Sequence, residues 1–504
     1  MGRYAQSYLI AGIASVGGLL FGYDIGIIAN ILAMSWFRLY FRYPDATQVG
    51  VITSFLTLGC FVGALGAGHL CDRISRKRTI IMASLIFVVG SLIQAVATNT
   101  GFLIFGRFVN GLAVGFLSQA VPTYQCELAA PEVRGRLISL QQWSITWGIV
   151  VAFWICIGTS NIDSNLSWRL PLYLQIIPAA ILLVAMPRMP YSPRWLLLKG
   201  RDQEALLVLA RIRSGGDMSD PAMVQEYKSV REAIEIENRV SLKSYSELLK
   251  FPIRRRLVLG ILTQMFQQLT GINTIMYYAP SIFRRAGIGG NSGPMIAQGI
   301  NGIVNVLFTI PAILFVDRWG RRLTLMMGAI GCGLSYLILA ISIYLNSGTV
   351  TKIETVNNVQ LTTVSSKIVI PPWVGITMIY TFVASFASSW GPVAWIYPAE
   401  IFPMSMRSKG TSITTATNWF FNFIVGLVSP MLIHSMSWGL YALFFVFMVI
   451  AVIVIYLFYP ETKGRSLEQM EVIFRGSVWA IRDQSRIAEE LNNEKQNKER
   501  YQNV

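Results

Sequence analysis

The residues whose types and spacing best suit chemistry lie in one stretch, Gln264 to Phe283, QMFQQLTGINTIMYYAPSIF. It sits inside a run of membrane length, yet carries Gln267, Gln268 and Asn273, two tyrosines, a central Gly271 and Pro280. A carboxamide facing hydrocarbon without a partner costs several kcal/mol, so these groups must face protein, a polar solute or a wet cavity. Amides and phenols offer donors and acceptors without net charge, which suits a neutral polyhydroxylated ligand such as a sugar better than an ion. On an ideal helix Gln267 and Asn273 point about 240° apart, so one face cannot present both. Gly271 gives the chain freedom to unwind between them, and irregular backbone at membrane depth is tolerated where it lines a cavity. The alternative is that the amides only join helices to one another.

The elements that position these residues follow from composition. With 53% hydrophobic and 13% charged residues over 504 positions, the chain reads as a polytopic membrane protein. Cys60, Cys71, Cys126, Cys156 and Cys332 fall in or beside apolar segments at no metal-ligand spacing, so neither a disulfide framework nor a metal site is indicated. His69 and His434 sit near predicted segment ends and read as interfacial side chains rather than ligands. A formal charge of +16 would suit nucleic acid, but the basic residues cluster beside the apolar segments, where they set topology. A membrane enzyme would need a nucleophile, a metal or a phosphate site, and the sequence offers no such constellation and no cofactor motif.

Twelve apolar segments of about 20 residues can be marked, the length that crosses a hydrocarbon core about 30 Å thick. They cover approximately 8–32, 48–70, 79–97, 102–124, 137–158, 168–187, 257–279, 295–316, 323–345, 373–397, 411–433 and 438–459. The first lacks a small-residue cleavage site and is too long for a signal-peptide core, so it reads as a retained span. An even count puts both termini on one side. Arg73, Arg76, Lys77 and Arg78 after span two, with Arg318, Arg321 and Arg322 after span eight, make that side cytoplasmic, and the plasma membrane is the expected location.

The expected division is a six-helix bundle over 1–187, a cytoplasmic helical domain over 188–256, a second six-helix bundle over 257–460 and a charged cytoplasmic tail over 461–504. Within the second of these, Asp220 and Pro221 form an N-cap and first-turn pair that opens a charged helix running toward Asn238. The connection 346–372, rich in Thr, Val and Asn, belongs outside. So does the sequon Asn165-Leu166-Ser167, which lies too close to span six for glycosylation to be expected. An internal repeat ties the bundles together. CDRISRKR around Asp72 returns as VDRWGRR around Asp317, and Glu127 and Arg134, seven apart, return as Glu400 and Arg407, also seven apart. Two pseudo-symmetric all-α halves follow, related by an axis along the membrane normal.

Eight motifs carry a resemblance: GGLLFGYDIG (17–26), GHLCDRISRKR (68–78), GRFVNGLAVGFLSQAVPTYQCELAAPEVRG (106–135), QQLTGIN (267–273), VDRWGRR (316–322), PAEIFPMSMRSKG (398–410), TNWFFN (417–422) and PETKG (460–464). In this order and topology they resemble those of the sugar porters of the major facilitator superfamily, the fungal hexose transporters above all. There are two departures. Ser75 stands where the loop after span two usually carries glycine, and the pattern PESPR after span six reads PYSPR, with Tyr191 replacing the acid. The second departure weakens the expectation of an inner ion-pair network in the first half, while Glu461 of the second half is intact.

The resemblance implies the major facilitator fold and a monosaccharide site near the bilayer midplane, on Gln142, Gln267, Gln268, Asn273, Asn305, Trp395, Trp419 and Asn422. Read from the residues, Asn418 and Asn422 share a helix face, and the two indoles offer flat apolar surfaces to a pyranose. For Gln142 and Asn305 a bond to a neighbouring helix is an open alternative. Asp24, inside span one, demands a partner or a proton, and Arg107 is the partner the family suggests. Proton-coupled relatives use such a pair: the arginine holds the aspartate charged when the two are close, and separation lets it take a proton. Similar fungal facilitators carry the aspartate too, so a structural ion pair is the alternative. Asp72, Glu127, Arg134, Asp317, Glu400, Arg407 and Glu461 fall at predicted cytoplasmic span ends, where pairs between the halves could latch the inner side shut. The function expected is hexose transport, glucose foremost, by alternating access with proton symport. The rivals are a proton-independent facilitator, a polyol or inositol carrier, and a sugar sensor on a transporter body, a class that tends to carry a longer tail than 461–504.

Overall fold

Backbone polar groups within a bilayer must pair inside their own segment, so an apolar run of that length closes into helix. In the computed structural model, residues 5–129, 133–240, 245–251, 253–285, 293–346, 349–356, 359–366, 370–403, 406–463 and 474 are described. Among them, eleven helices are long and apolar enough to cross a membrane. The expected twelfth is the seventh in order, and it escapes that count because it is broken. Ile253–Leu269 and Ile272–Arg285 are separate helices, and Gly271 between them has φ +79°. The break predicted from the spacing of Gln267 and Asn273 is present, at the residue expected to allow it.

The first half comprises Ala5–Ile31, Ala46–Ile74, Arg76–Ala95, Thr100–Leu128, Arg134–Thr159 and a sixth span in two pieces, Leu166–Leu174 and Ile176–Ala185. The second comprises the broken span seven, Gly293–Trp319, Arg321–Leu345, span ten as Pro372–Ala387 and Trp390–Ile401, Arg407–Met436 and Gly439–Phe458. With little hydrophobic drive between helices in lipid, close backbone approach must hold them. Spans two and four show how: Gly59 and Gly63 lie against Gly111 and Gly115, and a Cβ on Gly111 would sit 2.0 Å from the Leu56 carbonyl oxygen. The halves join along spans two and eleven, where Ser412 Oγ donates to the Ala64 carbonyl at 2.7 Å. Span four adds a bond from Gln119 Nε2 to the Ser408 carbonyl at 3.0 Å.

Between the halves, Pro193–Leu198, Asp202–Arg213 and Pro221–Val240 form short amphipathic helices. Asp220 caps the last of these as expected, accepting from Met223 N at 3.1 Å. Arg213 anchors the group to span four, donating to the Leu128 carbonyl while paired with Glu226 at 2.8 Å. The long connection after span nine adds the one departure from an all-helical chain among the described residues, an antiparallel ribbon of Thr349–Val356 and Val359–Ser366. Asn346 closes its base, exchanging side-chain bonds with the backbone N–H and carbonyl of Ile370.

The repeat is visible in backbone angles. Gly320, just before span nine, has φ +88°, and Ser75, its counterpart before span three, has φ +97°. Serine is strained there, although its hydroxyl accepts from Arg78 N. Ser75→Gly is therefore expected to raise stability by about 1 kcal/mol, losing only a few tenths from the cap, as read from thermal unfolding in detergent. Gly271→Ala should do the reverse, by about 2 kcal/mol or more in the same measurement, because its Cβ would meet the Phe444 ring at 2.6 Å in a positive-φ conformation.

Candidate functional site

The break at Gly271 turns the amides of span seven toward one another and toward span eleven. Gln268 Nε2 donates to Asn418 Oδ1 at 2.9 Å, and Asn273 Nδ2 to Gln268 Oε1 at 2.5 Å. Asn418 Nδ2 in turn donates to Gln264 Oε1 at 2.6 Å and Gln267 Oε1 at 2.5 Å. The remaining N–H groups reach the backbone of span ten beside its own break. Gln267 Nε2 donates to the Trp390 carbonyl at 3.0 Å, and Gln264 Nε2 to that of Ala394 at 3.0 Å. All five side chains are buried. They form an uncharged network in which amides bond one another and backbone carbonyls of span ten, among them that of Ala394, whose helical donor is missing at Pro398, and every one of these bonds has an equivalent that a sugar hydroxyl could make.

The other predicted residues lie on several spans. Asn422 is buried one turn beyond Asn418 and accepts from the Tyr277 hydroxyl at 3.1 Å. Trp419 is fully buried across the interface between the halves, its ring 4.8 Å from Phe21 of span one and its Nε1 donating to Ser118 Oγ of span four at 3.1 Å. Trp395 and Gln142 line a small void beside Pro392, and Trp395 also borders the larger cavity described below. Asn305 of span eight is buried, and its Oδ1 finds no partner among the described residues. A donor from a ligand would satisfy it. Span one brings Asp24 to span four, where Arg107 approaches Oδ1 at 3.5 Å and both side chains are buried.

At the basic ends of the spans the repeat is read out as paired acids and bases. Arg76 bonds Asp72 at 3.0 Å and Glu127 at 3.0 Å, and Ser192 Oγ donates to Glu127. Arg321, its counterpart, bonds Glu400 at 2.7 Å, and Glu461 caps span nine by accepting from Arg321 N at 2.8 Å and Arg322 N at 3.1 Å. These ion pairs run within each half rather than between the halves. Across the interface, Asp72 and Glu127 line the same cavity of about 650 Å³ as Arg407 and Lys409. Arg134 and Asp317 sit in helices, but their side chains lie outside the described residues.

Tyr191 does not cost the first half its network. The Arg76–Glu127 pair forms without a carboxylate at that position, and the ring is stacked on Trp195 at 5.4 Å with Lys77 Nζ 4.7 Å, Arg201 5.6 Å and Arg78 6.0 Å from its centroid. Cation–π contacts replace the acid.

Sequence reasoning missed Gln264, although it opens the key stretch, and Ser118, which holds Trp419. The two tyrosines of that stretch, Tyr277 and Tyr278, line a second cavity of about 250 Å³ at the opposite end of the interface with Arg38 and Pro280. Tyr278 seals span seven to span eleven through the Gly426 carbonyl at 2.6 Å. Two cavities thus lie toward opposite ends of the interface between the halves.

This arrangement has known counterparts. The MFS glucose transporter mfs1 of Aspergillus flavus is 37% identical over 98% of this chain and 95% of its own length. The high glucose sensor of Saccharomyces cerevisiae is 34% identical over 93% of this chain, which spans 61% of that protein. Among solved structures, the proton:xylose symporter XylE bound to 6-bromo-6-deoxy-D-glucose superimposes with a TM-score of 0.80 at 25% identity, covering 94% of this chain and all of that one. The family model described as "Sugar (and other) transporter" matches residues 10–474, and the chain is a multi-pass membrane protein of that family, with the major facilitator fold.

Proposed function

We propose that the protein carries a neutral hexose, glucose foremost, across the plasma membrane by alternating access, and that uptake is coupled to a proton. The observation that carries the sugar reading is the amide network of Gln264, Gln267, Gln268, Asn273 and Asn418 at paired helix breaks, with Asn305 Oδ1 left without a bond among the described residues. A pyranose entering here exchanges amide–amide bonds for amide–hydroxyl bonds at little net cost, which is what a carrier needs: a ligand gripped in passage and then released. Gln142 and Trp395 lie beside this path, and Trp419 and Asn422 bound it toward span four and Tyr277. The glucose transporter of Aspergillus flavus supports glucose as the substrate, and the sugar derivative bound to XylE supports a hexose-sized site.

In this reading the basic ends face the cytoplasm, as do both termini. The bundles over 1–187 and 257–460 rock as two bodies, linked by 188–256 and followed by the tail over 461–504. Closure at the inner end brings the Asp72 and Glu127 wall toward Arg407, with Arg134 and Asp317 as further latch candidates. The pairs Arg76–Glu127 and Arg321–Glu400, with Glu461, hold each half rigid while it moves. Tyr277 and Tyr278 close the outer end. The differential grip that drives the change comes from span seven, whose two pieces can hinge at Gly271, and from span ten, broken before Gly391 and Pro392. Asp24, buried beside Arg107, is the proton-carrying group, since a lone carboxylate at that depth has either a cation or a proton.

Labelled glucose uptake into liposomes containing the pure protein tests both parts. With an inward proton gradient, accumulation above the outside concentration should appear and vanish when the gradient is collapsed. Asp24→Asn should then keep glucose exchange and lose accumulation. Equilibration indifferent to the gradient would make the protein a facilitator and Asp24 a structural residue. Absence of flux for glucose, other hexoses and polyols would favour a sensor, the function named for the Saccharomyces cerevisiae relative.

A further inference from the structure

Asp24 rests on two side chains of span four, and they hold it unequally. Asn110 donates from Nδ2 to Asp24 Oδ2 at 3.1 Å, whereas Arg107 reaches Oδ1 with one nitrogen at 3.5 Å. A well-matched guanidinium grips a carboxylate through two parallel bonds. Here Nε and the second terminal nitrogen of Arg107 find no partner among the described residues. The amide, three residues further and on the same helical face, is the firmer anchor.

An amide can also do what an arginine cannot. A guanidinium only donates, so it satisfies a carboxylate but not a carboxylic acid, while a carboxamide donates through N–H and accepts through C=O. Turned over about its terminal torsion, the same Asn110 would accept the O–H of protonated Asp24. Turning requires a neighbour that tolerates both faces of the amide. Ser91 Oγ donates to the Phe87 carbonyl at 2.7 Å and accepts from Asn110 Nδ2 at 3.2 Å, and it lies 3.5 Å from Asn110 Oδ1, so when the amide turns its O–H can swing from the Phe87 carbonyl to Oδ1. Gly90 makes room for this, since a Cβ there would sit 2.3 Å from Asn110 Oδ1.

Asp24, Arg107, Asn110 and Ser91 are all buried, so neither form of the acid can lean on bulk solvent. The other titratable groups nearby are Tyr23 on span one and the Cys60 thiol on span two, with Tyr277 and Tyr278 of span seven facing Arg107. None of them offers Asp24 both a donor and an acceptor at hydrogen-bond distance.

We infer that Asn110 is a positioning residue for proton coupling, satisfying Asp24 in both its charged and its protonated form so that the proton can come and go inside a buried site. The inference rests on the symport reading. The proton joins a carboxylate oxygen from water on one side and leaves to water on the other, and no other bond is made or broken. Asn110 and Ser91 belong to the same half as Asp24, so the exchange of partners needs no contact with the second half.

The test separates exchange from accumulation in liposomes containing the full chain. Asn110→Leu, near in size but without donor or acceptor, should exchange labelled glucose at equal pH within about twofold of the unaltered protein, while gradient-driven accumulation falls about tenfold. Asn110→Ser, which keeps a group able to donate and accept, should retain most of the accumulation. Ser91→Ala, which removes only the hydroxyl that follows the amide, should lower accumulation about threefold with exchange unchanged, and it serves where the leucine variant fails to assemble. Proportional loss of exchange and accumulation would make Asn110 a structural joint, and full accumulation by Asn110→Leu and Ser91→Ala would show that Asp24 does not need it. Either result overturns the inference. Failure of the symport reading is seen separately, in unaltered protein that equilibrates glucose whatever the gradient, and it takes this inference with it.

Discussion

A polar group at membrane depth has no water to fall back on, and most of this molecule is arranged around that constraint. Where a helix is continuous, its own ladder satisfies the backbone. Where spans seven and ten break, the side-chain amides of Gln264 and Gln267 take up carbonyls of span ten, and Asn418 takes up the amide oxygens. The network therefore draws on the backbone of span ten as much as on its own side chains. Its groups are paired with one another and yet remain replaceable, because each bond is between neutral partners of similar strength.

Much of this was legible in the sequence, for reasons that can be named. The break at Gly271 followed from the geometry of Gln267 and Asn273 on a helix together with the one residue between them that tolerates positive φ. That Asp24 needs a partner followed from the cost of charge in a membrane, with Arg107 suggested by the family resemblance, and the repeated acids and bases at the span ends followed from the internal repeat. The helix opened by Asp220 was signalled by its cap.

What was not legible depends on contacts between distant segments. Ser118 carries no signal that it will receive the Trp419 indole, and Asn110 looks like any amide in a glycine-rich helix until Asp24 is seen beside it. The twelve spans were marked by hydropathy averaged over about 20 residues, which passes over short polar interruptions such as Gln175 in span six and Ser388-Ser389 in span ten, where the helices break. The ribbon over 349–366 lies in a stretch whose Thr and Val content favours strand, yet with two strands and no sheet to join, that propensity alone could not establish it.

The basic ends of the two halves are built on one plan and held on different terms. In the second half, span nine begins on the Glu461 carboxylate, which accepts from the first two backbone N–H groups of the helix. In the first half the corresponding place is filled by the Tyr191 ring, stacked on Trp195 and surrounded by Lys77, Arg78 and Arg201. The quadrupole of a ring binds cations without the desolvation that a buried anion demands. One span therefore starts on hydrogen bonds to a carboxylate and its counterpart starts beside a ring held by stacking and cation–π contact, so a pseudo-symmetric molecule rests its two halves on unlike interactions.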